Sequence, residues 1–266
     1  VSISGATGKK ITSSAPIVCK ASANFSNLTI NATTPVGQGA INLEAEGIVV
    51  ELDGVNITQN TAGTQDDSHF EGLGIKNVTC KNTLKLNNTT ITLPADKYVR
   101  AINMYTENPS WVNLEIKNSH LRCGTDLSYP STYARVLSFS NVSCDNLVID
   151  NSTLKGAYYV VNVNSESTVV ANVTNGSVLD GRAAFNIWTP GFVANVTEST
   201  LIGRNNYAGP TESFANIVIN QGATDCILNL TNTIFKMDVI EKQQTNEQYA
   251  ISFRASDQTL KLTGYM

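Results

Sequence analysis

Few side chains in this chain of 266 residues have the types and spacing that chemistry needs. The two histidines, His69 and His120, are far apart in the sequence. Asp66 and Asp67 are adjacent, and with Glu71 or a neighbouring segment they offer the oxygen ligands that Ca²⁺ prefers. Asp66 and Asp67 are therefore weak candidates for a calcium site. We expect no other cofactor and assign no catalytic residue.

The elements that position these side chains are repeats. Three copies of one pattern follow each other: VLSFSNVSCDNLVIDNSTLKG, VVNVNSESTVVANVTNGSVLDG and AFNIWTPGFVANVTESTLIG. Each opens on an alternating apolar pair, Leu137/Phe139, Val161/Val163 and Phe185/Ile187, and the first members recur every 24 residues (137, 161, 185). A period in the twenties with alternation inside it predicts a solenoid whose coils are built from short strands.

A polar corner residue follows each pair, with apolar residues at fixed offsets on both sides. The alternation changes phase across the corner, which predicts a tight bend between two strands that share one core. Asn tolerates the left-handed backbone of such a bend, and stacked Asn side chains can hydrogen-bond along the coil axis. The predicted corners are Ala32, Gly54, Asn88, Asn118, Asn151, Asn175, Glu198, Asn232 and Gly264.

The same template extends over nearly the whole chain and predicts about nine coils. The remaining apolar pairs are Ile17/Cys19, Ile41/Leu43, Leu73/Ile75, Ile102/Met104, Ile217/Ile219 and Ile251/Phe253. All long insertions fall between a corner and the next pair, so we expect them along one edge of a rod. They span roughly residues 59–70, 92–98, 122–133, 203–213 and 236–248. We expect most of their charged residues to be solvated loop tips, although loops on a rigid scaffold often carry function.

The outward positions of the pair-bearing strands form a surface rich in amides and hydroxyls. Asn offers donors and acceptors, and aromatic faces stack on sugar rings, so this surface suits a neutral glycan. The alternative is that the amides form ladders with one another or contact only water. The candidate ligand-binding residues are Asn42, Glu44, Lys76, Asn103, Tyr105, Asn162, Asn186, Trp188, Arg254 and, in an insertion, Tyr207.

Catalysis on this surface would need a convergent set of groups, and the sequence does not show one. A lyase needs a base beside cations, and a hydrolase needs two opposed carboxylates. Glu44 and Lys76 occupy equivalent outward positions in adjacent coils, and we call such a stack of equivalent positions a column. We expect an ordinary surface ion pair between them. Arg100, Arg135 and Arg182 approach the starts of pair-bearing strands and could hold an anionic sugar, but we expect extended surface side chains.

Composition favours one domain spanning residues 1–266, with a cap or lead-in strand at 1–15 and a final coil without a cap. The net charge of -4 and the absence of a basic tract argue against nucleic acid. No apolar run is long enough for a transmembrane segment. A bare last coil predicts either further chain after Met266 or end-to-end self-association. The five cysteines lack metal-site spacing and are expected to be buried thiols, with Cys19 in an inward column.

Over about residues 16–266 these coils resemble the right-handed parallel β-helices of the pectin-lyase-like superfamily. The resemblance implies an all-β solenoid of about nine coils with variable loops inserted along one edge. It also implies a ligand groove over the pair-bearing strands, beside the turn that carries the insertions. The superfamily includes lyases, hydrolases, esterases, phage tailspikes and non-catalytic adhesins. The motifs of polygalacturonases are absent here, and the chain is closest in character to the non-catalytic surface proteins.

We therefore expect a secreted or cell-surface binding module or adhesin that recognises a glycan or a protein partner along its loop-bearing edge, without catalysis. One alternative is a polysaccharide lyase or glycoside hydrolase acting in the same groove. A second alternative is a structural rod or fibre subunit.

Overall fold

The protein is a right-handed parallel β-helix. The computed structural model describes residues 1–6, 9–61, 63, 69–76, 81–94, 98–124, 133–205, 214–239, 248–254 and 260–263, and every regular element within them is a β-strand. All strand pairs are parallel. The predicted all-β solenoid of about nine coils is confirmed.

Each coil contains up to three strands, numbered here in chain order. The first, pair-bearing strand is β3 (Ile17–Cys19), β6 (Gly39–Leu43), β9 (Phe70–Lys76), β12 (Val99–Lys117), β14 (Arg135–Asp150), β16 (Tyr159–Asn164), β19 (Ala183–Ile187), β22 (Phe214–Ile219) or β25 (Gln248–Phe253). We number the coils 1 to 9 by these strands.

The second strand of each coil precedes the corner. These strands are β1 (Ser2–Ser4), β4 (Ala23–Ser26), β7 (Val49–Asp53), β10 (Asn82–Asn87), β17 (Val169–Thr174), β20 (Val193–Thr197), β23 (Cys226–Thr231) and β26 (Leu260–Thr263). In coils 4 and 5 the first and second strands are continuous, as β12 and β14, with register shifts where the other coils turn. First and second strands therefore belong to one 17-stranded sheet.

The third strand of each coil follows the corner. These strands are β2 (Lys10–Ser13), β5 (Thr29–Ala32), β8 (Asn56–Gln59), β11 (Thr90–Leu93), β13 (His120–Cys123), β15 (Thr153–Gly156), β18 (Val178–Gly181), β21 (Thr200–Asn205) and β24 (Ile234–Val239). They form a separate 9-stranded sheet. Before coil 1, β1 and β2 pair with β4 and β5, so both sheets already include the first residues of the chain.

The apolar pairs stack in register to form a continuous core. Leu137 pairs with Val161, and Val161 pairs with Phe185. Each of these side chains is fully buried, as are their partners Phe139, Val163 and Ile187. Phe185 also packs on Phe192, with ring centroids 5.5 Å apart. The periodicity in the sequence is thus the periodicity of the core.

The corners have the left-handed backbone that their sequence predicts. Positive φ angles occur at Gly54, Asn88, Asn118, Asn151, Asn175, Glu198 and Asn232. Asn151 donates from Nδ2 to Asn118 Oδ1 at 2.8 Å, so neighbouring corners are linked by their side chains. Gly264 lies outside the described residues.

The predicted corner at Ala32 is wrong. The first coil turns at Asn27, where φ is 51°, and Ala32 is the buried last residue of β5. Asn27 has the template's apolar neighbours, with Phe25 before it and Ile30 after it. Asn adopts positive φ at lower cost than Ala, so the bend forms there.

The long connections all leave the 9-stranded sheet and enter a pair-bearing strand. They join β8 to β9, β11 to β12, β13 to β14, β21 to β22 and β24 to β25. Because equivalent strands are stacked, the strand ends that these connections join lie along one edge of the rod, as predicted. Among the described residues, no helix is long and apolar enough to cross a membrane.

Candidate functional site

The pair-bearing strands do not alternate throughout, and this places an extra residue on their outer face. In coils 2 and 4 to 7, two consecutive residues point into the core where the apolar pair begins, for example Ala101 with Ile102 and Val136 with Leu137. A side chain at Gly72 would likewise meet the core residue Ile91. The residue preceding each such doublet therefore faces outward. In successive coils these residues are Glu71, Arg100, Arg135, Tyr159 and Ala183.

Glu71 is the centre of a polar cluster on this face. Its side chain is fully buried, and its Oε1 lies 2.5 Å from Lys76 Nζ and 2.7 Å from His69 Nε2. Asn103 donates from Nδ2 to the same oxygen at 2.7 Å. A buried carboxylate is costly without hydrogen-bond partners, and these three contacts all satisfy Oε1.

The expected surface ion pair between Glu44 and Lys76 is wrong. Lys76 binds Glu71, whose outward position the alternation had not predicted. Glu44 is exposed and accepts a hydrogen bond from Asn42 Nδ2 at 3.3 Å. The structure therefore assembles a convergent set of charges that is not evident in the sequence.

The arginines are not the extended surface side chains that the sequence suggested. Arg100 and Arg135 are each 7% exposed and Arg182 is 5% exposed. Arg100 donates from Nη1 to Asn103 Oδ1 at 2.9 Å, which joins it to the Glu71 cluster. Arg135 lies over the ring of Tyr133, with Cζ 5.1 Å from the ring centroid. Buried guanidinium groups held in this way give the face a fixed positive charge.

A row of tyrosines borders these arginines where the insertions return to the sheet. Tyr98 stacks on Tyr133 at 5.6 Å between centroids, and Tyr133 contacts Tyr158 at 5.4 Å. Tyr158 contacts Tyr159, and Arg182 lies over the Tyr158 ring at 5.2 Å. Tyr98 and Tyr133 have φ angles of 51° and 65°, a strained backbone for bulky residues. Such strain is often found at functional sites.

A cavity of about 390 Å³ opens between the arginines and the outer face of the pair-bearing strands, which we call the floor. It lies within the usual size range of sites for small ligands. Its lining combines cationic, aromatic, hydroxyl and amide groups from coils 3 to 6. The lining residues are His69, Arg100, Tyr105, Arg135, Ser138, Ser140 and Asn164.

Beyond the cavity, the floor amides bind each other. Asn186 donates from Nδ2 to Asn162 Oδ1 at 2.7 Å, and Asn220 donates to Asn186 Oδ1 at 2.9 Å. These amides are fully or almost fully buried. In coils 6 to 8 the ladder alternative considered from the sequence is therefore the one observed.

The residues predicted to bind ligand fall into distinct groups. Tyr105 lines the cavity, and Lys76 and Asn103 belong to the adjoining Glu71 cluster. Asn42 is buried in coil 2. Trp188 is 46% exposed in coil 7, and Arg254 is exposed in coil 9. Tyr207, Asp66 and Asp67 lie outside the described residues. Within the described residues, no three His, Cys, Asp or Glu side chains are grouped as a metal site.

Sequence reasoning did not select His69 and Glu71 as partners in one site. Strict alternation counted back from Leu73 assigns Glu71 to the core, and His69 seemed to be one polar residue of an insertion. An inward apolar residue immediately before the pair, as at Ala101, Val136 and Val160, was the available signal. This extra inward residue recurs in successive coils. It shifts the alternation by one position, so the residues that precede it in the strand face the opposite way from the expected one.

Comparison with known proteins adds little to this geometry. No family model matches the chain, and no curated protein matches it. The Dettilon tailspike protein gp208 is 12% identical with a TM-score of 0.34, and the match covers 91% of this chain and 60% of that protein. Tailspike protein 3 of bacteriophage CBA120 is 13% identical with a TM-score of 0.20, over 97% of this chain and 52% of that protein. The chain thus spans less than two thirds of either structure. Neither TM-score reaches 0.5, so the functional inferences come from this chain's own residues.

Proposed function

We propose that the protein is a secreted or cell-surface glycan-binding module that holds acidic polysaccharide in the cavity over coils 3 to 6. The observation that carries this proposal is the cavity lining, where Arg100 and Arg135 stand beside Tyr105 and a floor of hydroxyl and amide groups. Assignment to the pectin-lyase-like superfamily belongs to the same proposal and is supported by the coil architecture.

The chemistry of the lining favours a sugar with an anionic substituent. Guanidinium groups donate paired hydrogen bonds that fit carboxylate or sulfate oxygens. Tyr105 is 46% exposed and offers a face for the apolar side of a sugar ring. Ser140 and Asn164 supply donors and acceptors for hydroxyl groups. A sugar carboxylate or sulfate complements the positive charge of Arg100 and Arg135, whereas the neutral glycan expected from the sequence does not, so we favour an acidic one.

A binding panel tests this function. Purified protein is titrated calorimetrically with polygalacturonate, alginate, hyaluronan and chondroitin sulfate, with dextran as the neutral polysaccharide. We expect binding to at least one acidic chain, weaker binding at higher salt, and no binding to dextran. If none of the four acidic polysaccharides binds, the proposal is contradicted.

Two charge variants locate the site within that panel. Replacing Arg135 by Gln should weaken binding by about tenfold or more, because a hydrogen bond to a charged group is lost. The control is Lys85→Gln, since Lys85 lies on the outer face of β10, away from the cavity, and pairs with Glu51. Equal binding by Arg135→Gln and wild type would exclude the cavity as the site.

A lyase acting on the same acidic polysaccharide is the second candidate, and the His69–Glu71 pair favours it. His69 Nε2 lies 2.7 Å from Glu71 Oε1, so the carboxylate orients the imidazole ring beside the cavity, where it is the candidate general base. Neighbouring guanidinium groups would neutralise the sugar carboxylate while the base removes the proton from the adjacent carbon. A C=C bond would then form as the C–O bond to the leaving sugar breaks, and the leaving oxygen would take up a proton from water. A hydrolase lacks this support, because the described residues that line the cavity include no carboxylate.

Product formation separates binding from cleavage. Each acidic polysaccharide is incubated with protein, and unsaturated sugar ends are followed by ultraviolet absorbance. Binding without product supports the module. Product that disappears in His69→Ala, while Lys85→Gln still forms it, supports the lyase instead.

A further inference from the structure

The amide ladder on the floor of the pair-bearing sheet has a direction. Asn220 in coil 8 donates to Asn186 in coil 7, and Asn186 donates to Asn162 in coil 6. Asn162 and Asn186 share one column of the floor, and Asn220 reaches it from two residues beyond the column's Val218. Every donated hydrogen bond points to the coil before. By this pattern the Nδ2 group of Asn162 is directed towards coil 5.

In coil 5 the residue in this column is a serine. Ser138 is the register partner of Asn162 on one side and of Asn103 on the other. The serine hydroxyl is shorter than an amide, and Asn162 Nδ2 makes no hydrogen bond within the described part of the chain. Asn162 is only 1% exposed. A buried donor without a partner costs about 1 to 3 kcal/mol, so this gap is a real defect of the ladder.

The gap coincides with the cavity. Ser138 is among the residues that line it, together with Ser140 of the same strand and Asn164 of the next coil. Asn103, on the far side of the gap, already binds Glu71 and Arg100. The place where an amide is missing is thus the place where the floor opens.

We propose that Ser138 determines ligand binding because it leaves the coil-5 position of the amide ladder without an amide, a gap that we call the empty rung. An anionic oxygen of an acidic sugar occupies this rung and accepts a hydrogen bond from Asn162 Nδ2. This inference rests on the proposed glycan binding and specifies its contact. The ligand oxygen takes the position that the side-chain oxygen of an Asn would have. Arg100 and Arg135 lie around the same cavity and balance the charge of the bound group.

The column itself does not require a serine at coil 5. An Asn at position 138 would fit the column, since Asn103, Asn162 and Asn186 are all accommodated at equivalent positions with almost no exposure. It would supply the missing acceptor to Asn162. It would also fill the floor of the cavity. Ser138 therefore exchanges a hydrogen bond within the protein for one with the ligand.

Replacement of Ser138 by Asn tests this directly, and the matched control is Ser252→Asn, the same substitution in the same column at coil 9. The full chain and both variants are titrated with the acidic polysaccharide that binds wild type most tightly, and their thermal unfolding is recorded. Ser138→Asn should weaken binding by about tenfold or more, the effect of one lost hydrogen bond to a charged group, while its melting temperature stays level or rises. Ser252→Asn makes the same change outside the cavity and should bind within about threefold of wild type.

The outcomes separate this inference from the proposed function. If wild type binds and Ser138→Asn binds equally well, the empty rung is not the contact, although glycan binding stands. A marked fall in the melting temperature of Ser138→Asn would show that the rung cannot hold an amide, which overturns the inference. If wild type binds no acidic polysaccharide, the proposed function itself fails and this contact fails with it.

Discussion

Gly74 lies directly beneath the carboxylate of Glu71. A Cβ atom added at Gly74 would be 2.5 Å from Glu71 Oε2 and 2.8 Å from Asn42 Oδ1. The position equivalent to Gly74 in the next coils is occupied by larger residues, Asn103 and Ser138. The glycine in this column therefore makes room for the buried carboxylate.

The first prediction follows from this contact. Gly74→Ala should lower the free energy of unfolding by about 1 to 3 kcal/mol, because the added methyl group displaces the Glu71 carboxylate from its donors. Urea denaturation measures the change. In a Glu71→Ala background the same substitution should cost clearly less, since the closest oxygen has been removed. An equal cost in both backgrounds would show that Glu71 is not what the glycine accommodates.

The second prediction concerns the core stack. Phe185→Ala should cost about 3 to 5 kcal/mol, because the fully buried ring leaves a cavity between the neighbouring coils. The control is Ile234→Ala, whose side chain is 58% exposed and should cost no more than about 0.5 kcal/mol. A Phe185→Ala protein as stable as wild type in denaturant would contradict the stacked core.

The third prediction uses the two exposed tryptophans. Trp188 lies on the outer face of the pair-bearing sheet, three coils from Tyr105 or ~14 Å along the rod at the spacing of parallel strands. If a glycan chain extends from the cavity along this face, Trp188→Ala should weaken its binding by about 1 to 3 kcal/mol. Trp111→Ala is the matched control, because Trp111 is similarly exposed but belongs to the second-strand half of β12. Equal calorimetric affinities of the two variants would confine the ligand to the cavity.

The fourth prediction concerns the buried thiols. Burial raises the pKa of Cys144 to about 12 and also raises the pKa of Cys123. The thiolate is the reactive form, so neither residue should be alkylated in the native protein at pH 8, as measured by peptide mass spectrometry. Both should react fully in guanidinium chloride. Native labelling of Cys123 or Cys144 would contradict the packing around them.

The same pKa changes give stability a defined pH dependence. Unfolded thiols ionise near pH ~8.5, whereas the native thiol of Cys144 keeps its proton to about pH 12. Unfolding therefore releases protons above ~8.5, and the free energy of unfolding should fall as pH rises through this window. Denaturation of a Cys144→Ala variant should lose part of that slope.

The sequence predicted the core well, because packing imposes its own period. Inward residues such as Leu137, Val161 and Phe185 must meet their equivalents one coil away, so a constant spacing is visible in the chain itself. Corners were visible for a similar reason, since few residues adopt positive φ readily. The mistake at Ala32 came from assuming a constant distance between pair and corner, when the first coil reaches Asn27 sooner.

The candidate site was less visible, because it depends on a departure from the repeat. Glu71 faces outward only because Gly72 and Leu73 both point inward, and a two-residue alternation cannot represent that. The partners of Glu71 then depend on which neighbouring coil supplies a donor. Asn103 was chosen from its position in the column alone, and its hydrogen bond to Glu71 is evident only in the three-dimensional structure.

The insertions have a consequence for how this architecture can change. The connection from β15 to β16 is very short and the one from β8 to β9 is long, yet β9 and β16 occupy equivalent positions in the same sheet. The stack therefore tolerates connections of very different length at this edge without a change in strand register. We therefore expect the insertions to be exchangeable, and grafting a foreign loop between β8 and β9 should alter binding beside the cavity while the scaffold keeps its form. We expect variation in the length and sequence of connections to concentrate along this one edge of the rod.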